Sequence, residues 1–137
     1  MSEAATISAT LRGVEAARQL RPPTINKTVE LARLDWANPR FSKTKLGLQQ
    51  ANKNLATYEE NLRTAQFNLD KVNRDFEPDP VDQSLYEEQV RKWEEAISIT
   101  KRFTIKNLQN DLLNYEGIIR SATARLRKIG VSVGEPP

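Results

Sequence analysis

The feature that most constrains this chain is an unbroken heptad repeat in its middle third. Apolar residues recur there at alternating steps of three and four: Leu48, Ala51, Leu55, Tyr58, Leu62, Ala65, Leu69, Val72 and Phe76. No proline interrupts the run. Such a repeat places its apolar side chains on one stripe of an α-helix, which packs against a second helix. We therefore expect a helix over about residues 42–76, about 50 Å long.

An acidic, proline-containing break follows this helix, and we expect a turn over residues 77–82. Within it, Asp79 followed by Pro80 is typical of a helix N-terminus, with an acidic cap and a proline in the first turn. A second start signal comes shortly afterwards, because Ser84 and Glu87 have the spacing of a capping box. Either signal begins a second helix.

The second helix is expected over about residues 83–129, with Gly130 at its C-terminal cap. A short loop joins the two helices, so they are predicted to pack as an antiparallel hairpin. Pairing outward from the turn places Leu48 near Leu112. The surplus at the end of the second helix, Tyr115–Ile129, then has no partner in the first helix and is expected to meet the N-terminal arm or another subunit.

The apolar stripe of the second helix changes register once. The three–four spacing holds on both sides of one irregular stretch, with Tyr86, Val90, Trp93 and Ile97 before it and Ile105, Leu108, Leu112, Tyr115, Ile119, Ala122, Leu126 and Ile129 after it. Ile97 to Leu108 is then a single eleven-residue step. Such a step is a stutter, which locally relaxes a supercoil and rotates the apolar face.

The irregular stretch also has an unusual composition. Residues 96–105 hold five β-branched residues, which favours a strand. No other segment offers a good partner strand, so we predict that the stretch is helical. Thr100 and Thr104 then fall on the seam, by which we mean the line of helix positions that face the partner helix. Ile99 and Phe103 face away from the first helix. We expect the second helix to contact something besides the first helix here.

The N-terminal part has shorter elements. We expect one short helix over residues 4–20, ended by Pro22 and Pro23, and another over residues 28–36, stopped before Pro39, because prolines rarely continue a helix. The predicted fold is all-α: a long, coiled-coil-like antiparallel helical hairpin with an N-terminal arm of short helices and extended segments. The expected division of the chain is an arm (1–41), the hairpin (42–130) and a C-terminal tail (131–137).

Composition leaves little material for catalysis. The chain has neither cysteine nor histidine, which excludes a Ser-His-Asp triad, a cysteine nucleophile and a zinc site of the usual ligands. The acidic residues at the turn lack the central glycine and the spaced glutamate of a calcium loop, and no glycine-rich phosphate loop is present. We predict no catalytic, cofactor or metal site, and we do not expect an enzyme.

Charge is distributed unevenly along the chain. The formal net charge is +4 over residues 1–45, −3 over residues 46–82 and +2 over residues 83–137. The candidate phosphate contacts are Arg120, Arg125, Arg127 and Lys128. The overall charge of +3 is mild and no aromatic stacking platform accompanies these side chains. Complementing the helix dipole is therefore the favoured interpretation, with nucleic acid kept as an alternative partner.

Apolar residues outside or at the end of the seam indicate a second interface. The candidates are Phe67, Ile99, Phe103, Leu113, Ile118, Leu126 and Ile129. Only 38% of the chain is hydrophobic and 28% is charged, with a mean hydropathy of −0.64. A lone hairpin of this composition buries little apolar surface, so association would supply the missing core. We expect other protein subunits as partners, in a homo-oligomer or a multi-copy assembly.

Three functional hypotheses follow. The first is a structural subunit of a large assembly, with a virion component such as a phage connector, tail or capsid-associated protein as the preferred kind. The second is a basic helical subunit of a ribonucleoprotein or another nucleic-acid-binding assembly. The third is a cellular coiled-coil adaptor or export chaperone. No apolar run approaches the length of a membrane helix and no secretory signal is recognisable, so we expect a virion or cytoplasmic location without membrane insertion.

Overall fold

A computed structural model describes residues 24–134, and the helices in this range form an antiparallel hairpin without strands. The elements are α1 (Lys27–Asn73), α2 (Pro80–Ile99), a π-helical segment (Thr100–Ile105) and α3 (Lys106–Lys128). The last three continue into one another as one second helix. The prediction of an all-α helical hairpin is confirmed. The short helix expected over residues 4–20 lies outside the described residues.

Helix α1 is longer at its N-terminus than the sequence pattern predicted. It begins after Asn26, whose side-chain oxygen accepts a hydrogen bond from the backbone N–H of Val29 at 3.3 Å. It then passes through Pro39 without a break, 47 residues in all, which is about 70 Å. The predictions of a separate short helix over residues 28–36 and of a helix start near residue 42 are therefore wrong.

The heptad repeat explains why Pro39 does not end the helix. Leu34, Ala37 and Phe41 continue the three–four spacing backwards from Leu48, in the same register. Leu34 and Ala37 are buried, and Phe41 packs against them. A proline inside a helix costs about 3 kcal/mol, mainly through a lost backbone hydrogen bond and a steric clash. Burial of apolar side chains on both sides of Pro39 offsets this cost.

The turn lies earlier than expected. The Asp79 carboxylate accepts a hydrogen bond from the backbone N–H two residues on, at 2.9 Å, so the second helix begins at Pro80 and uses the first of the two start signals. Helix α1 ends at Asn73, whose side-chain oxygen accepts a hydrogen bond from Gln83 at 2.8 Å across the turn. Phe76, predicted on the seam, is 99% exposed because the helix has already ended.

The register of the hairpin follows from this turn. Three contacts define it: the Trp36 and Tyr115 rings at 5.5 Å, the Tyr58 and Trp93 rings at 5.6 Å, and Gly47 beside Leu108, whose Cδ2 lies 3.6 Å from where a Cβ at residue 47 would be. These contacts place Leu48 five to nine residues nearer the turn on the second helix than the expected partner Leu112, a displacement of about one and a half to two and a half turns. The cause is the position of the turn, since residues 74–79 connect the helices rather than 77–82.

The irregular stretch is helical, as predicted, but its backbone is a π-helix rather than a stutter of ordinary α-helix. Thr100 is buried and Thr104 is exposed, so the prediction that both lie on the seam is wrong for Thr104. The seam runs from Ile97 to Thr100, then to Ile105, then to Leu108. The five-residue step in the middle matches the i→i+5 hydrogen bonding of a π-helix.

The outward side of the π-helical segment agrees with the sequence pattern. Ile99 and Phe103 are both exposed, as predicted for side chains that face away from α1. On the inward side, the Thr100 hydroxyl donates a hydrogen bond to the backbone carbonyl of Ala96 at 2.7 Å. This bond satisfies the hydroxyl within its own helix. The segment therefore presents a polar residue to α1 and apolar residues to solvent.

The most tightly buried part of the core lies at the open end of the hairpin, away from the turn. Its buried residues are Leu34, Ala37, Ile119, Ala122 and Leu126. The expectation that Tyr115–Ile129 lacks a partner in the first helix is wrong, because α1 extends back to Lys27 and covers this part of α3. The residues assigned to the arm are thus the missing partner, as part of a continuous helix.

The C-terminal cap closes this core. Gly130 has φ of 77°, the left-handed conformation expected of a residue that follows a helix, and this prediction is confirmed. Helix α3 ends at Lys128, and the N–H of Val131 donates to the carbonyl of Leu126 at 2.9 Å. Val131 and Val133 then pack against the buried cluster, so the first part of the tail belongs to the core.

Leu126 is fully buried and Leu113, on the same helix, is 66% exposed, which makes them a matched pair for testing the core. We expect Leu126→Ala to lower the free energy of unfolding by about 2–5 kcal/mol, because it removes buried methyl groups and leaves a cavity. Leu113→Ala is expected to change it by less than about 0.5 kcal/mol. Urea unfolding followed by circular dichroism measures both. Equal effects would contradict the assignment of the core.

Replacement of Pro39 by alanine restores an N–H donor inside α1. We expect Pro39→Ala to raise the free energy of unfolding by up to about 3 kcal/mol. Pro80→Ala is the control, since Pro80 occupies the first turn of its helix, where a proline costs little. Thermal and urea unfolding of both variants measure the difference. A loss of stability in Pro39→Ala would show that the core depends on a bend at the proline.

Candidate interaction surface

A buried carboxylate joins the two helices at the open end. Glu30 occupies a seam position of α1 and is 4% exposed. Its Oε1 accepts hydrogen bonds from Arg125 Nε at 2.8 Å and from Arg33 Nη1 at 2.7 Å. The hydrogen bond from Arg125 lowers the pKa of Glu30, against the opposing effect of burial, and Arg33 lowers it further. The second oxygen, Oε2, is buried without a hydrogen-bond partner among the described residues.

This ion pair specifies how the helices align. A buried charge is strongly destabilising when it loses its partner, so a displaced register that separated Glu30 from Arg125 would be penalised. Apolar seams alone discriminate less sharply between registers one heptad apart, and a single polar seam residue can fix the register of a coiled coil. The pair thus gives the open end one preferred alignment.

The structure does not bring the four candidate phosphate contacts together. Arg125 is engaged by Glu30 on one flank of the hairpin, and Arg120 forms an ion pair with Glu116. Arg120 and Arg127 line a groove on the other flank. Lys128 is exposed in the last turn of α3. Two of the four positive charges are therefore already paired with carboxylates of the same chain.

The groove beside Arg120 and Arg127 is shallow and mostly apolar. It has a volume of about 280 Å³, and Phe41, Ile119 and Thr123 contribute to its lining. The Thr123 hydroxyl is buried without a hydrogen-bond partner among the described residues. Glu116 also lines the groove and is paired with Arg120, so Arg127 is the lining arginine without an ion pair among the described residues.

The opposite flank carries an exposed tryptophan. Trp36 lines an apolar groove with Val29 and Ile118. The guanidinium of Arg40 lies 4.4 Å from the centre of the Trp36 ring, and its Nη1 donates to the Trp36 carbonyl at 2.8 Å. Partly exposed Trp beside Arg is a combination enriched at protein interfaces.

The predicted partner-interface residues divide into three groups. Phe67, Ile99, Phe103, Leu113 and Ile129 are exposed. Ile118 is partly buried and packs against the core at the open end. Leu126 is fully buried inside the chain, so its assignment to a partner interface is wrong, because α1 covers this side of α3.

Sequence reasoning missed several other exposed apolar residues, namely Val29, Leu31, Trp36, Leu46, Val81 and Leu85. Val29 and Trp36 are one heptad apart, and both lie one position before a seam residue. Extending the heptad repeat back through Pro39 would have placed them beside the seam. The proline obscured that signal.

The turn shows no sign of a metal centre. Asp79 uses its carboxylate as a helix cap. Among residues 24–134 no group of three or more Asp, Glu, His or Cys side chains is arranged to hold a metal ion.

None of the helices between Lys27 and Lys128 is both long and apolar enough to cross a membrane.

Comparison with known proteins yields no relative: no family model, no curated protein and no solved structure matches the chain.

The lowered pKa of Glu30 makes stability depend on pH. The folded state binds this proton less readily than the unfolded chain, so the contribution is fully present above the ordinary glutamate pKa of about 4.3. It is lost as pH falls through the lowered pKa of the folded state. We expect Glu30→Gln to flatten the acid side of the stability profile. Glu116→Gln, which removes a more exposed ion pair, is the control and should leave the profile close to that of the wild type. Urea unfolding at a series of pH values tests both.

Proposed function

We propose that this chain is a structural subunit that acts by packing its helical hairpin against other protein subunits in a multi-copy assembly. The observation that carries the proposal is the set of large apolar side chains outside the seam that remain exposed, among them Phe67, Ile99, Phe103 and Leu113. Scattered exposed apolar residues are ordinary, but several along one rod mark an interaction surface.

The small core of the rod supports the same proposal. Among the described residues, the buried apolar side chains larger than alanine are Leu34, Ile119 and Leu126, and the others are alanines. All three lie at the open end. Toward the turn the seam is only partly buried, so the hairpin gains stability when a neighbour covers it.

A virion component, such as a phage connector, tail or capsid-associated protein, is the kind of assembly we propose first. Such assemblies repeat one small subunit many times through symmetric contacts. The core of the rod is most buried at its open end, and each flank there carries an apolar groove. The two flanks therefore offer separate surfaces for neighbours on either side. The nucleic-acid alternative has less support, because Arg120 and Arg125 already pair with Glu116 and Glu30.

The native complex tests the proposal. We expect the chain, isolated from its source under native conditions, to have a mass several times that of one chain by light scattering, with other subunits or further copies identified by mass spectrometry. Phe67→Asp is expected to reduce the amount of copurifying subunit. Gln66→Asp places the same charge on the adjacent exposed residue and serves as the control.

Three results would change the conclusion. A monodisperse monomer without a copurifying protein would contradict the assembly role. A single defined client in a one-to-one complex would favour an adaptor or chaperone. Copurifying nucleic acid whose binding falls steeply with salt would favour the ribonucleoprotein alternative.

A further inference from the structure

We propose that the neighbour of this rod is a second copy of the same chain, packed antiparallel along one flank of the second helix with a two-fold axis at the π-helical segment. The proposal rests on the assembly role above and names the partner.

The flank that we propose as the contact surface consists of residues that lie one position before the seam residues of the second helix. Before the π-helical segment, one residue in every seven lies one position before a seam residue. These residues are Leu85, Lys92 and Ile99. After the segment the seam restarts at Ile105, and Asp111 and Ile118 recur one position before the seam residues that follow them. On a helix surface these two heptad positions adjoin each other, so the two rows form one continuous stripe.

Two grooves place both halves of the stripe on the same side of the hairpin. Lys92 lines a groove with Asn61 of α1, and Ile118 lines a groove with Arg33 of α1. Asn61 and Arg33 occupy the same heptad position of α1, four heptads apart. The stripe therefore follows one flank of the rod from near the turn to the open end.

The two halves of the stripe complement each other about a point inside the π-helical segment. We place the centre of the contact between Lys101 and Arg102, inside the π-helical segment. The pairs equidistant from this centre are Asp82 with Ser121, Leu85 with Ile118, and Lys92 with Asp111. Phe103 and Ile99 lie close to the centre on either side. An antiparallel two-fold contact sets each residue opposite its equidistant pair, so Leu85 meets Ile118 and Lys92 meets Asp111.

Charge selects this orientation. Antiparallel contact forms the pair of Lys92 with Asp111 twice, once on each side of the axis. Parallel contact would instead set each of these residues opposite its own copy, and like charges opposed at an interface are costly. Neither residue forms an ion pair within residues 24–134. The Lys92 ammonium lies 4.8 Å from the centre of the Trp93 ring.

Apolar contact concentrates at the axis. Phe103 is 59% exposed, and Ile99 beside it and Leu85 farther along are exposed as well. π-Helical turns are frequent at functional sites. Here the turn lets the seam advance by five residues while the outer side presents Ile99 and Phe103 together.

The mass of the purified chain in solution is the first test. We expect light scattering to give twice the 15.6 kDa chain mass. Phe103→Asp is expected to weaken dimerisation by at least about tenfold, because it sets two charges against each other at the axis. Leu46→Asp is the matched control, since Leu46 is 66% exposed but lies on α1, outside the stripe. Equal effects of the two substitutions would overturn the proposal.

A charge exchange tests the pairing of residues. We expect Lys92→Glu alone and Asp111→Lys alone each to weaken the dimer by about tenfold or more. The double variant Lys92→Glu/Asp111→Lys restores two opposite-charge pairs and is expected to return the dissociation constant to within about threefold of the wild type. Failure of the double variant to recover would exclude this pairing. Sedimentation analysis measures all three.

Cross-linking tests the orientation. Because the chain has no cysteine, an introduced cysteine is the only thiol that can react. Asp82 and Ser121 are exposed and lie roughly 60 Å apart along the second helix. We expect a short bismaleimide to cross-link a mixture of Asp82→Cys and Ser121→Cys chains, and to leave each variant uncross-linked by itself. A parallel dimer would cross-link each variant by itself, and a different interface would cross-link neither sample. Both of these results overturn the proposal.

These outcomes separate the two proposals. A purified chain that stays monomeric removes the second copy as the neighbour. The assembly role would survive that result if the native complex still contained other subunits.

Discussion

The burial that carries α1 through Pro39 is the constraint on which the rest of the rod depends. A helix that stopped at this proline would leave the last third of the second helix uncovered and would separate Glu30 from Arg125. Because Leu34, Ala37 and Phe41 keep the heptad register across it, the helix continues and encloses the most buried part of the molecule. A local penalty is thus overcome by apolar contacts that lie far apart in sequence.

The π-helical segment solves a second conflict between local and tertiary demands. The apolar positions of the second helix fall into two registers, and in this structure the helix presents both to α1 by gaining a residue in one turn of its backbone. A π turn supplies that residue without breaking the helix. Thr100 is the seam residue where this happens, and its hydroxyl donates a hydrogen bond to the carbonyl of Ala96.

Sequence reasoning predicted the features whose causes are local or strictly periodic. The heptads of α1, the cap at Asp79 and the glycine at position 130 are of this kind. It failed where tertiary contacts decided between local alternatives. Pro39 has the composition of a helix end, and only the buried side chains around it show otherwise. Likewise, an eleven-residue step fits an α-helical stutter or a π turn equally well, and the burial of Thr100 rather than Thr104 distinguishes them. The candidate surface followed the same division: Ile99 and Phe103 were found from their positions, whereas Trp36 was hidden behind the proline.

The small size of the seam residues connects the fold to the surface. Ala37, Ala51 and Ala65 recur every fourteen residues of α1 and are buried, which lets the helices approach closely but buries little area per residue. With so little apolar area between its helices, the rod relies on a charged pair for alignment at the open end. It also leaves its larger apolar side chains, such as Phe103, on the outside. Apolar groups that a two-helix core cannot accommodate lose contact with water only when another chain covers them, and we propose the flank that crosses the π-helical segment as the place where a second copy covers them.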